Sequence, residues 1–148
     1  MQKQLIGNKK AYFDYYVEEK LECGIELKGT EVKSIRQGKA SIKEAWVSVE
    51  QGELIIHNMH ISPYAMGSYF NADPIRNRRL LAHKREIRKL ADTVKQDGMT
   101  LVPISVYLAK NGLIKVELGV CRGKKNYDKR QTLKSKDAKR EMERSHKN

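Results

Sequence analysis

Few residues in this chain have the type and spacing that chemistry needs. His57 and His60 stand three apart in a run that reads as a strand. That spacing turns them to opposite faces and makes them a poor metal pair. Glu18, Glu19 and Glu22 could hold a magnesium ion, but no paired-aspartate motif accompanies them. Cys23 and Cys121 lie far apart, outside any CxxC or Cys/His cluster, in apolar runs. They read as buried free thiols of a reducing compartment. No GxSxG, phosphate-binding loop, HExxH or GxGxxG occurs. The expectation is a protein that is not an enzyme and uses neither metal nor cofactor.

Charge carries more information. The 148 residues include 30 Lys plus Arg against 18 Asp plus Glu, a formal charge of +12. Such a field attracts a polyanion, and nucleic acid is the commonest. The charge is uneven. Arg76, Arg78, Arg79, Lys84, Arg85, Arg88 and Lys89 crowd one stretch, where Glu86 alone offsets them. Aromatic residues (Tyr12, Phe13, Tyr15, Tyr16, then Tyr64, Tyr69 and Phe70) are interleaved with basic ones, as suits stacking on unpaired bases. At least two of the first four are expected to face the core. Glu22 could accept a hydrogen bond from a base edge such as cytosine N4, or serve as an ordinary salt-bridge partner. Asn8 and His83 could meet RNA, or could be caps or surface residues.

These groups need elements to position them. Residues 1–10 read as a polar arm and residues 11–28 as one long strand, bulged near Gly24. A short helix follows Gly29-Thr30-Glu31 and stops at Gly38. Residues 42–50 and 53–61 flank Gln51-Gly52 as a hairpin, with Ile42, Trp46, Val47, Val49, Leu54, Ile56, Met59 and Ile61 as core candidates. Residues 62–79 look irregular, with Pro63, Gly67 and Pro74 as breakers. Residues 80–96 show the clearest helical period, and Gly98 caps their end. Residues 100–110 and 113–121 flank Asn111-Gly112, a type I′ hairpin signal. The sum is a mainly β chain with helices. It predicts an oligonucleotide-binding (OB)-type closed β-barrel with flanking helices over residues 1–121. An open sheet with helices on one side fits nearly as well.

From residue 122 the composition changes. Residues 122–148 carry 11 Lys or Arg and 4 Asp or Glu, with very few apolar residues. Such a segment cannot offset an ordering cost of roughly 1–2 kcal/mol per residue, so a disordered basic C-terminal tail is expected. Its Ala, Lys, Arg and Glu favour helix once polyphosphate removes the repulsion. The N-terminal MQKQLIGNKK has no apolar stretch of signal length, and no run spans a bilayer. A cytoplasmic protein with no membrane role is expected.

Three segments resemble the SsrA-binding protein family. They are NKKAYFDYYVEEKLECGIELKGTEVKSIRQGKASIKEAW, DPIRNRRLLAHKREIRKL and GVCRGKKNYDKRQTLKSKD. GTEVKSIRQGKA and GKKNYDKR carry most weight, being long, polar and rarely produced by core packing. Ala82 departs from the larger aliphatic residue expected there. The resemblance covers essentially the whole chain. It implies an oligonucleotide-binding barrel that grips the tRNA-like domain (D-loop and elbow) of transfer-messenger RNA (tmRNA), without catalysis. It implies RNA-facing roles for Asn8, Lys9, Glu22, Leu81, His83, Lys84 and Lys115. It further implies that the tail occupies the decoding centre and empty messenger channel of a stalled ribosome, becoming helical there. Those tail roles fall on Gly123, Lys124, Lys125, Tyr127, Asp128, Lys129, Arg130, Lys134, Lys136 and Met142. A helix over residues 129–146 would reach about 27 Å. A monomer is expected. The competing readings are a general RNA chaperone or ribosomal component on a similar barrel, and a nuclease or nucleotidyl transferase using Glu18, Glu19 and Glu22.

Overall fold

The computed structural model describes residues 3–64 and 72–124. Strand β1 (Lys3–Gly7) leads into the short helix α1 (Lys9–Asp14) and the long strand β2 (Tyr15–Ile25). Helix α2 (Gly29–Arg36) and strand β3 (Ala40–Ser41) follow, then the hairpin of β4 (Trp46–Glu50) and β5 (Glu53–His57). The chain continues through β6 (His60–Ile61), β7 (Arg78–Leu81), α3 (Lys84–Asp97), β8 (Thr100–Leu108) and β9 (Ile114–Gly123).

The main sheet runs β1-β8-β4-β5-β7-β2-β9, and β8 also pairs with β9. That extra pairing closes β8, β4, β5, β7, β2 and β9 into a ring. The open-sheet alternative is thereby set aside, and the closed barrel stands. Strand β8 makes the closure possible because it is long: Leu101 pairs with β4 and Ser105–Leu108 with β1 along one edge, while β9 takes the other. Period-2 alternation then sorts the side chains. Ile25, Leu54, Ile56, Leu80, Leu101, Val106, Val116 and Leu118 point inward and are buried. Each such side chain contributes about 1.5–3 kcal/mol of hydrophobic stabilisation. Helix α3 lies across one end of the barrel, sharing grooves with β2 and β9 on one side and β4 and β8 on the other. Its Ile87 and Leu90 face the core.

A second, smaller core lies outside the barrel wall. There Ala11 of α1 packs with Val102, Ile104 and Cys121. Gly119 permits it, since a Cβ at that position would stand 2.8 Å from the Ile104 side chain. Burial holds both thiols protonated, pushing Cys23 up to about 12 and Cys121 up to about 11.

Several local expectations are corrected. Residues 9–14 are helical, in place of the end of the arm and the start of the strand expected from residue 11. Asn8 caps them, its Oδ1 accepting from Ala11 N at 3.3 Å. The expected arm contains β1, whose pairing with β8 is too distant in sequence to read locally. Leu80 and Leu81 belong to β7, so the helix begins at Lys84 rather than residue 80. Trp46 is not core: it is 44% exposed. The type I′ turn expected at Asn111-Gly112 forms at Gln51-Gly52 instead. Gln51 and Gly52 both have positive φ, the type I′ pattern. In the other hairpin only Gly112 does, with its N donating to Ala109 O at 2.9 Å, so that loop is a type I turn with a glycine bulge. Strand β9 runs to Gly123, so Arg122 and Gly123 pair with Tyr16 and Tyr15 rather than opening the tail. The expected disorder and helix of the tail lie outside the described residues.

Candidate nucleic-acid interface

The register of β7, β2, β9 and β8 sets out a surface. Leu81 pairs with Gly24, Gly24 with Lys115, and Lys115 with Tyr107. One step along, Glu22 pairs with Glu117 and Glu117 with Ser105. Residues opposite one another in a ladder share a face. Their neighbours Cys23, Val116 and Val106 point inward, so both rows lie on the outer wall. Three residues named from sequence, Glu22, Leu81 and Lys115, thus come together from three separate segments. Gly24 leaves a hollow beside Leu81, which is 43% exposed.

The groups on this wall hold one another in place. The Tyr107 hydroxyl reaches across β9 and donates to Glu22 Oε2. Burial, then the Glu22 carboxylate, pushes the phenol well above its ordinary range. Lys20 Nζ lies over the ring of Tyr12 and 3.8 Å from Glu117; a side-chain hydrogen bond with Tyr12, then the Glu117 charge, raises its pKa. The wall therefore offers a fixed carboxylate acceptor, an exposed aliphatic side chain and Lys115, a set able to meet base edges, sugar and phosphate together. Sequence reasoning missed Tyr107 and Glu117. Only the register, which puts them beside Lys115 and Glu22, reveals them.

His83 and Lys84 continue from Leu81. His83 is the N-cap of α3, with its backbone N donating to Glu86 Oε1 at 3.4 Å, and both side chains are exposed. Lys9 is exposed at the start of α1, just past Gly7, which pairs with Ser105 in the second row. Gly7 and Glu22 stand three strand spacings apart, about 14 Å. Asn8 is different. It is 4% exposed, and its Nδ2 donates to Ile42 O at 3.2 Å and Pro103 O at 2.8 Å. Its side chain is engaged in holding α1 against the barrel.

The basic stretch over residues 76–89 divides. Arg78 is fully buried, its Nε donating to Glu31 Oε2 at 2.8 Å and its Nη1 to Met59 O at 2.8 Å. Arg76 donates to the same carboxylate at 2.6 and 3.0 Å. Arg79 bridges Glu26 and Glu53, each at 2.6 Å. Glu86 is therefore not the sole offset: Glu31, Glu26 and Glu53 arrive from other elements. Lys84, Arg85, Arg88 and Lys89 of α3 remain exposed.

The remaining candidates do not assemble into a reaction centre. His57 and His60 fall on different strands, separated by Asn58 with positive φ, and His57 stacks on Trp46 instead. Glu18 pairs with Arg122 at 2.8 Å. Among the described residues, no three His, Cys, Asp or Glu side chains gather to hold a metal ion, and no helix is long and apolar enough to cross a membrane. Gly123 lies in β9, and Lys124 Nζ sits over the Tyr16 ring at 5.2 Å. The other tail candidates, from Lys125 to Met142, are outside the described residues.

Fold and surface together define a basic barrel protein with a polar and aliphatic outer wall. Residues 5–148 match the family described as SmpB protein, and the chain belongs to that family. It is 56% identical over 142 residues to the SsrA-binding protein of Desulfitobacterium hafniense, covering 96% of this chain and 90% of that one. It is 54% identical over 143 residues to the SsrA-binding protein of Bacillus subtilis, covering 97% and 91%. A solved structure described as "tmRNA-SmpB: a journey to the center of the bacterial ribosome" matches with a TM-score of 0.68 and 49% identity. That match covers 80% of this chain and 83% of the solved one.

Proposed function

We propose that the outer wall of β7, β2, β9 and β8 binds the tRNA-like domain of tmRNA, and that the protein delivers this RNA to stalled ribosomes for trans-translation. The observation that carries the reading is the convergence of Glu22, Leu81 and Lys115 on one wall. His83 and Lys84 extend that wall at the α3 end, and Lys9 extends it at the other. The names borne by the relatives point to the same RNA. Leu81 supplies an apolar contact for a splayed base, Glu22 a fixed acceptor for an exocyclic amine, and Lys9, Lys84 and Lys115 neutralise phosphate. The protein acts in the cytoplasm as a binding factor, not as an enzyme. Residues from Lys124 onward serve the ribosomal side, filling the decoding centre and the messenger channel when no messenger occupies it.

Recovering the RNA that co-purifies with the full chain from cells tests this. Enrichment of tmRNA over bulk tRNA is the expected result; an RNA profile matching total cellular RNA would support the general-chaperone reading instead. Deleting residues 129–148 should leave binding of the tRNA-like domain nearly intact and abolish tagging of stalled peptides. Tagging that persists would remove the tail from the mechanism.

A further inference from the structure

The opposite side of the barrel carries an aromatic group that the first wall does not use. Strands β4 and β2 lie across the ring from one another in the order β8-β4-β5-β7-β2-β9. Trp46 pairs with His57 across the β4–β5 ladder, and the two rings stack with centroids 4.1 Å apart and planes 14° from parallel. The imidazole is itself held, with Nε2 2.8 Å from Ser48 Oγ and 3.1 Å from Glu50 Oε2. Trp46 is nonetheless 44% exposed. On its β8 side lies a groove whose lining includes Tyr15, Thr100 and Val102.

We propose that Trp46, backed by His57, is a second nucleic-acid contact that stacks an unpaired base of RNA in this groove. An aromatic platform pinned from behind takes a base with little loss of side-chain freedom, and every base has a π-face to offer. The rim suits the backbone that must accompany it. Lys43 and Lys95 border the groove system and form no ion pair among the described residues. Lys10 is engaged with Glu44 at 2.8 Å, and Asp14 and the Glu50 that holds His57 are further acidic groups on this side. The site goes beyond the function proposed above, because it faces away from the wall of Glu22, Leu81 and Lys115. The protein would hold one RNA element on each side.

The chain has a single Trp, so its fluorescence reports this site alone. Titrating the full chain with a short oligoadenylate, too short to fold, should quench Trp46 saturably. Anisotropy of a labelled oligoadenylate should show about tenfold weaker binding by Trp46→Ala, the loss of one base stack. Trp46→Phe should recover part of the loss. Lys43→Glu with Lys95→Glu should weaken binding further at low salt, while Leu81→Ala leaves the quenching unchanged. An absence of quenching, or Trp46→Ala binding the oligonucleotide as tightly as the parent, overturns the proposal. Quenching by an apolar peptide but not by the oligonucleotide also overturns it, in favour of a protein partner. Loss of tRNA-like domain binding in Leu81→Ala with quenching intact shows that the two sites succeed or fail separately.

Discussion

Two regions look alike in sequence and differ in use. Residues 76–79 and residues 81–84 both present basic side chains next to apolar ones in one continuous stretch. In the first, Arg76 and Arg78 turn into the protein and converge on the buried Glu31, knitting α2 to β7 and the segment before it. In the second, Leu81, His83 and Lys84 are exposed, and Leu81 shares the outer wall of Glu22 and Lys115. What separates them is not charge but the carboxylate that another element brings. A guanidinium fork with a buried partner becomes scaffold, and a cation without one stays available to phosphate. Net charge therefore overstates the binding surface, and the distinction can be broken experimentally from either side.

The largest effect should come from Glu31→Ala. It leaves Arg78 buried without its partner and should cost about 3–5 kcal/mol in denaturant unfolding. Folded molecules should still bind RNA normally; a loss of RNA affinity at retained stability would place Glu31 in the interface instead. A related effect appears in pH dependence. Burial pushes the Glu31 carboxyl upward, but hydrogen bonds from Arg76, the Lys28 backbone and Arg78 outweigh it and hold the group below the usual range. A folded-state pKa below the unfolded one gives stability that is present above the unfolded value, about 4.3, and is lost as pH falls through the folded value. The stability gap between the parent and Glu31→Gln should be widest near neutrality and narrow below about pH 4, as read by unfolding midpoints across that range. The smallest effect belongs to Lys115→Ala. It should leave the unfolding midpoint unchanged, weaken RNA binding several-fold, and reduce the salt-dependence slope by about one. An unchanged slope would show that Lys115 meets no phosphate.

The legibility of this molecule in its sequence follows the range of the forces involved. Local signals held: Gly98 adopts the left-handed cap that ends α3, both glycine-containing hairpins form, and Ile87 and Leu90 face the core as their period predicts. Long-range pairing was hidden. Nothing near Lys3–Gly7 announces a strand whose partner is residues 105–108, and nothing near Arg78 announces a carboxylate 47 positions away. Asn8 shows the same limit. Its type suits both a cap and an RNA contact, and the carbonyls of Ile42 and Pro103 that take up its Nδ2 lie 34 and 95 positions away. Trp46 is a core candidate by type although out of step with the alternation, and it lies on the outer parity of β4, where Val47 takes the inward place. Glu22, Leu81 and Lys115 were named through family resemblance, and register explains why three such different side chains belong together.

Equilibrium binding of a labelled tRNA-like domain to the full chain, measured against equimolar total tRNA for the parent and for Leu81→Ala with Lys115→Ala, addresses the outer wall most directly. The expected result is a parent complex that survives the competitor and a double variant, equally stable, that binds at least tenfold more weakly. Displacement of the parent complex by bulk tRNA, or parent-like binding by the double variant, would contradict the assignment of RNA recognition to this wall.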